Sequence, residues 1–168
     1  MNIEKMLEMQ TQVDAKIMEK VDIEAGLLQN NLKLALQVEI AEFANELQSF
    51  KHWKHSKVID DAKVKDELAD CIAFALALIN HYDIGNLNTE LMLNTNEAES
   101  ENQDSDITYS LLEALRISSD IWGQDDVVNI LLILLNLAKN TLHFTEEEIE
   151  KAYMDKAKIN IERQEEGY

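Results

Sequence analysis

Apolar positions recur along most of the chain at helical spacing, broken by short polar stretches. Residues 3 to 20 place Ile3, Met6, Leu7, Met9, Val13 and Ile17 near that spacing, which predicts an amphipathic first helix. From Ile23 to Phe50 the apolar positions, among them Leu27, Leu28, Leu32, Leu34, Leu36, Val38, Ile40, Phe43 and Leu47, leave little room for a wholly wet face. This predicts a buried second helix. The polar, basic and aromatic stretch "KHWKHSKVIDD" reads as a loop feeding a third helix from Asp61 to Tyr82. That helix is apolar on nearly every side after Asp70 and is stopped by Gly85. Two further helices are expected at Ile107 to Trp122 and Asp125 to Leu142, with Gly123 ending one and Asp125 capping the next. The second is apolar all round, which places it in a core or, over Val127 to Ala138, at a subunit interface. A last helix starts at "FTEEEIE", where Thr145 is the N-cap and Glu148 completes a capping box, and runs through "KAYMDKAKINIERQEEGY".

Composition sharpens this to an all-α helical bundle. Proline is absent, glycine numbers four in 168 residues, and the length suits one domain, residues 1–168. The segment "NLNTELMLNTNEAESENQDSD" is acidic, Asn-rich and weakly periodic, so residues 86–120 are expected to hold a variable acidic insertion between core helices. A net charge of -18 argues against DNA or RNA as a bulk partner, because neutralising phosphates requires Lys and Arg in quantity. The bases cluster instead, with Lys51, Lys54, Lys57, Lys63 and Lys65 in one stretch and Lys151, Lys156, Lys158 and Arg163 in another. The single cysteine, Cys71, sits in the apolar run "CIAFALALI" and reads as core filler in a reducing compartment. The first residues lack the apolar block of a signal peptide, and neither "CIAFALALI" nor "VVNILLILLNLA" reaches the ~20 residues that cross a bilayer. The expectation is a cytoplasmic protein with no membrane partner.

The candidate chemistry lies in "EIAEFANE" and "ELAD". Glu39, Glu42 and Glu46 step by three and four residues, so their carboxylates share one helical stripe; Glu67 and Asp70 repeat the three-residue step on the next long helix. Like charges at that spacing repel, and acids in apolar surroundings need a compensating base or cation. Oxygen-only ligation suits Mg²⁺, with Mn²⁺ as a substitute, and both lean on substrate phosphates to complete their coordination. A di-iron carboxylate bundle would need Glu-x-x-His, and neither motif holds a histidine. A single such motif is common on the surface of any Glu-rich helix. Two of them on successive apolar helices, with 24 residues between Glu42 and Glu67, favour a metal site.

"EIAE" followed by "ELAD" resembles the ExxE…ExxD signature of the all-α NTP pyrophosphohydrolases, the MazG-like superfamily that includes the dimeric dUTPases. "MLEMQTQVD", "SFKHWK" and "AYMDKAKINIERQEEGY", in that order, are similar to the dimeric dUTPases of bacteria and their phages. The resemblance covers residues 1 to 82 and 144 to 168. It implies Mg²⁺-dependent hydrolysis of dUTP to dUMP and pyrophosphate by a homodimer, in the host cytoplasm if phage-encoded. Carried over by position, Glu39, Glu42, Glu67 and Asp70 would hold magnesium, with Glu42 polarising the attacking water. Gln10 would face the uracil edge, and Asp14, where some members carry Asn, would contact base or sugar. Trp53 would cover the base and Lys54 reach phosphate, while Lys156, Asn160 and Arg163 would present two cations and an amide to the triphosphate or ribose. The family's Asp-x-x-His-Phe reads "DCIAF" here, with Ala73 in place of His. Some phage members bind repressors of phage-inducible chromosomal islands, which makes the acidic insertion a candidate surface for such a partner. The alternatives are another all-α dNTP pyrophosphatase, acting on dCTP or a modified nucleotide, and a non-catalytic regulatory or repressor-binding bundle.

Overall fold

A computed structural model of the chain describes residues 1–82 and 103–167. Among them are six α-helices and no strand: α1 (Ile3–Met18), α2 (Ala25–Leu47), α3 (Asp61–His81), α4 (Gln103–Ser118), α5 (Gln124–Asn136) and α6 (Glu146–Glu166). The all-α bundle read from periodicity is the fold observed. Gly85 and residues 86–102 of the expected insertion lie outside the described residues. Residues 103–118, in the same expected span, form α4, whose Ile107, Leu111 and Ala114 are buried in the common core.

The helix starts follow from local side-chain chemistry, since the first turn of each helix has backbone N–H groups with no carbonyl partner. Asn2 accepts from Lys5 N at 2.9 Å, and Asp60 from Ala62 N at 3.0 Å. Glu24 accepts from Gly26 N and Leu27 N at 2.9 and 3.0 Å. Thr145 and Glu148 form the reciprocal box expected of them, at 3.2 and 2.9 Å. At α5 the expected cap, Asp125, is replaced. Gly123 is the N-cap, and Asp126, at the third helical position, reaches back to Trp122 N and Gly123 N at 2.9 and 3.2 Å.

Helix ends departed more from expectation. α4 stops four residues before Trp122, where Ser118 and Ser119 hydroxyls bond back to Leu115 O and Arg116 O. Two side chains one turn apart on α2 then collect the terminal carbonyls: Gln37 Nε2 donates to Ser118 O at 2.7 Å and Lys33 Nζ to Ile121 O at 2.6 Å. α5 does not continue to Leu142 as an α-helix but widens into a π-helical turn over Leu137–Thr141. α2 ends on Gln48 in the left-handed region at φ 56°, unusual for a residue with a Cβ. Its side chain ties down the connection that follows, donating to Val58 O and accepting from Lys54 Nζ, both at 2.8 Å.

α3 is the central helix and packs against α1, α2, α5 and α6, while α4 closes against α2 and α5. The core runs from Ile3 and Met6 of α1 through Leu36, Ile40 and Phe43 of α2 and Leu68, Ile72 and Leu76 of α3 to Tyr153 of α6. Val127, Ile130, Leu131, Leu134 and Leu135 of α5 are buried within this same chain. The helix thus takes the core place expected of it, while its Val128, Leu132 and Ile133 are only partly buried. Large apolar side chains stand exposed at Leu27, Leu34 and Val38 of α2 and at Tyr109 and Leu112 of α4.

Leu36 is fully buried and Leu34, two residues away on the same helix, is 61% exposed. Leu36→Ala is expected to cost about 2–5 kcal/mol in chemical denaturation. Leu34→Ala should stay within about 0.5 kcal/mol of the parent protein.

Candidate metal centre

The acidic stripes of α2 and α3 face each other. One carboxylate oxygen from each of Glu39, Glu67 and Asp70 lies within 4.8 Å of the others. Of the charges around it Glu39 feels Asp70 most strongly, and Glu67 feels Glu42 most strongly. That order, 39 against 70 and 42 against 67, is the register of an antiparallel helix pair. Glu42 itself is exposed and stands at the edge of the cluster, where with Glu46, Asn45 and Glu67 it lines an open depression.

The electrostatics match three acids in too little water. Burial, then Asp70, Glu42 and Glu67, push the Glu39 carboxyl up to about 7, against a weaker pull from Lys156. Burial also raises Glu67, helped by Glu42, Asp70 and Asp66. Asp70 is raised by burial too, although its hydrogen bond and charge contact with Lys156, and more distantly Arg163, act against this. Convergent carboxylates that burial and nearby acids push up are a fitting donor set for a hard divalent cation, whose charge would offset both.

The final helix supplies counter-charge. Lys156 Nζ lies 2.6 Å from Asp70 Oδ2 and 2.9 Å from Asp66 Oδ2. Asn160 and Arg163 follow Lys156 by four and seven residues on α6, so the three share its face. Asp66 was not singled out by sequence; its signal was only its place beside Glu67.

A second polar group joins α1, α3 and α6. Gln10 is buried, and its Nε2 donates to Asp14 Oδ1 at 2.8 Å while its Oε1 lies 3.0 Å from the Tyr153 hydroxyl. That hydroxyl is also 2.9 Å from Met6 O, so its one proton serves either acceptor. Asn80 Nδ2 donates to Asp14 Oδ2 at 3.0 Å. Burial pushes the Asp14 carboxyl up, and the bonds from Asn80 and Gln10 restrain it. Asp14 and Asn80, with Ile17, Leu28, Leu32 and His81, line a cavity of about 220 Å³; Gln10 does not. Both ends of the Gln10 amide, expected to face a ligand edge, are bonded within the chain here, with one N–H and one acceptor position left over. Tyr153 and Asn80 are members of this network that sequence reasoning missed, since nothing in their spacing distinguishes them from packing residues.

Trp53 and Lys54 are placed apart from both groups, on the connection between α2 and α3. Trp53 is 60% exposed and meets Phe50 and His52 edge-on. The Lys54 ammonium is bonded to Gln48, not to an acid of the centre. Among the described residues no helix is long and apolar enough to cross a membrane.

Residues 2–168 match the family model described as dUTPase. No curated protein matches the chain by sequence.

The raised Glu39 carboxyl makes a signed prediction. Folded, Glu39 holds its proton up to about 7; unfolded, it releases it near 4.5. In this window the native state binds more protons, so its stability falls as pH rises from 4.5 to 7 and stays lowered above. In EDTA, Glu39→Gln should melt at a higher temperature than the parent protein at pH 8, and the gap should close below the ordinary carboxylate range.

Proposed function

The chain belongs to the dUTPase family and hydrolyses dUTP to dUMP and pyrophosphate, and from that premise we propose that Glu39, Glu67 and Asp70, with Glu42 at their edge, hold the Mg²⁺ on which this reaction depends. The observation that supports the reading is the convergence of the three carboxylates within 4.8 Å beside a buried-side lysine. When bound, magnesium supplies charge neutralisation of the triphosphate and a water of lowered pKa; Mn²⁺ offers the same oxygen-directed chemistry.

The chain's own residues do the remaining work by position and charge. Glu42, exposed at the edge of the cluster, has free acceptor oxygens with which to orient a water and take its proton. Lys156 and Arg163 give α6 a cationic face toward Asp70, where negative charge on a phosphate chain would be offset. Asn160 adds an amide to the same face. The base is assigned to the cavity beside Asp14 and Asn80. Ten residues separate Asn80 from Asp70 along α3, roughly 15 Å at 1.5 Å per residue, so the base would sit at the C-terminal end of that helix and the phosphates near its middle. Asp14 is the polar edge available to a ring N–H, with Gln10 and Tyr153 holding it from behind. A buried pattern of this kind rejects a ring with the wrong donors more strongly than an apolar pocket does. Trp53 and Lys54 would have to reach substrate from the exposed connection.

The same reading takes the chain as one dUTPase domain, acting in the cytoplasm as a homodimer.

Pyrophosphate release should be strong from dUTP with Mg²⁺, weak from dCTP, dTTP, dATP and UTP, and abolished by EDTA. Glu42→Gln and Asp70→Asn should each abolish turnover while circular dichroism keeps its helical signal. Full activity in either variant would remove that residue from the site, and a preference for dCTP would move the base assignment.

A further inference from the structure

Lys156 sits between two carboxylates with different roles. Asp70 is one of the three convergent acids, and Asp66, one helical turn earlier on α3, is not. Their Oδ2 atoms lie 2.6 and 2.9 Å from the same ammonium. The lysine side chain is only 14% exposed, so it is held by the packing of α6 on α3. Asp66 is 58% exposed, and among the described residues its hydrogen-bond partner is Lys156.

An ammonium bonded to Asp70 and a divalent cation on that carboxylate compete, because the N–H occupies an acceptor position and the two positive charges repel. Resting on the reading of Glu39, Glu67 and Asp70 as the ion-holding set, we propose that Asp66 is a positioning residue that retains the Lys156 ammonium beside the centre when Asp70 turns to a divalent cation. The four-residue spacing of Asp66 and Asp70 puts both carboxylates on one face of α3, so the exchange is a short swing of the ammonium rather than a release into solvent. Lys156 then remains within reach of an anionic substrate. Other charges facing it are Glu39 and Glu67, both of which feel the lysine.

Two opposite effects follow. Removing Lys156 removes the competitor, so the centre binds cation more tightly. Removing Asp66 leaves the ammonium to Asp70 alone, so the centre binds cation more weakly, and this effect exists only while Lys156 is present. Simple loss of a nearby negative charge at Asp66 would instead weaken binding equally with or without the lysine.

The test is calorimetric titration of Mg²⁺, without nucleotide, into the parent protein, Lys156→Gln, Asp66→Asn, the double variant and Glu67→Gln. Lys156→Gln should bind roughly fivefold more tightly. Asp66→Asn should bind several-fold more weakly in the parent background and change little in the Lys156→Gln background, a coupling read directly from the double-mutant cycle. Lys156→Met, which keeps the buried stem, takes its place should Lys156→Gln not fold. Unchanged or weaker binding on loss of Lys156, or an equal effect of Asp66→Asn in both backgrounds, would overturn the proposal. A parent protein that binds no Mg²⁺, or a Glu67→Gln that binds as well as the parent, would overturn the metal reading itself.

Discussion

The structure depends on a conflict built into the α2–α3 pair. These two helices pack closely because both are rich in Leu, Ile, Ala and Phe, yet the same contact brings Glu39 and Asp70 together and Glu42 beside Glu67. Burial that stabilises the pair also removes the water that would screen its acids. Glu39 records the result in a carboxyl raised to about 7. A fold that wanted only stability would place leucine at such positions; a fold that binds a hard cation needs oxygens held close before the ion arrives.

The remaining helices act on that pair from either side. α6 crosses α3 and delivers Lys156 to Asp70, while Tyr153, one turn earlier on α6, reaches Gln10 and Met6 of α1. α6 therefore spans both polar groups of the molecule, the acid centre and the Asp14 network. Its own start is fixed by the Thr145–Glu148 box and by Glu146, which pairs with the Met1 ammonium at 2.6 Å and with Lys139 at 2.7 Å. Placing the two groups accurately is then a matter of holding one helix at several points along its length.

Much of this was legible in the chain itself. Helix identity was readable because apolar periodicity continues over many turns, and the start at Thr145 was readable because capping is local chemistry. The acid cluster was readable because ExxE and ExxD put carboxylates on one face of each helix. What escaped notice depends on contacts between distant segments. The end of α4 is set by Gln37 and Lys33 of α2, and the engagement of Gln10 by Tyr153 on α6, partners 81, 88 and 143 residues away. The place of α5 stayed open between core and interface for a similar reason, since an all-round apolar helix can be covered by its own chain or by a second copy, and periodicity does not distinguish them. Asp66 escaped because an acid beside a motif acquires meaning only when a base from another helix meets it.

The central claim is that the convergent carboxylates form a cation site whose charge conflict is relieved by the ion. The most direct measurement is proton release on Mg²⁺ binding at pH 7, taken from titration heats in two buffers of different ionisation enthalpy. The account predicts that binding releases a substantial fraction of a proton, because Glu39 is partly protonated there and must ionise to ligate, and that Glu39→Gln loses this release. Mg²⁺ binding with no proton exchange in the parent protein, or with the same exchange in Glu39→Gln, would contradict it.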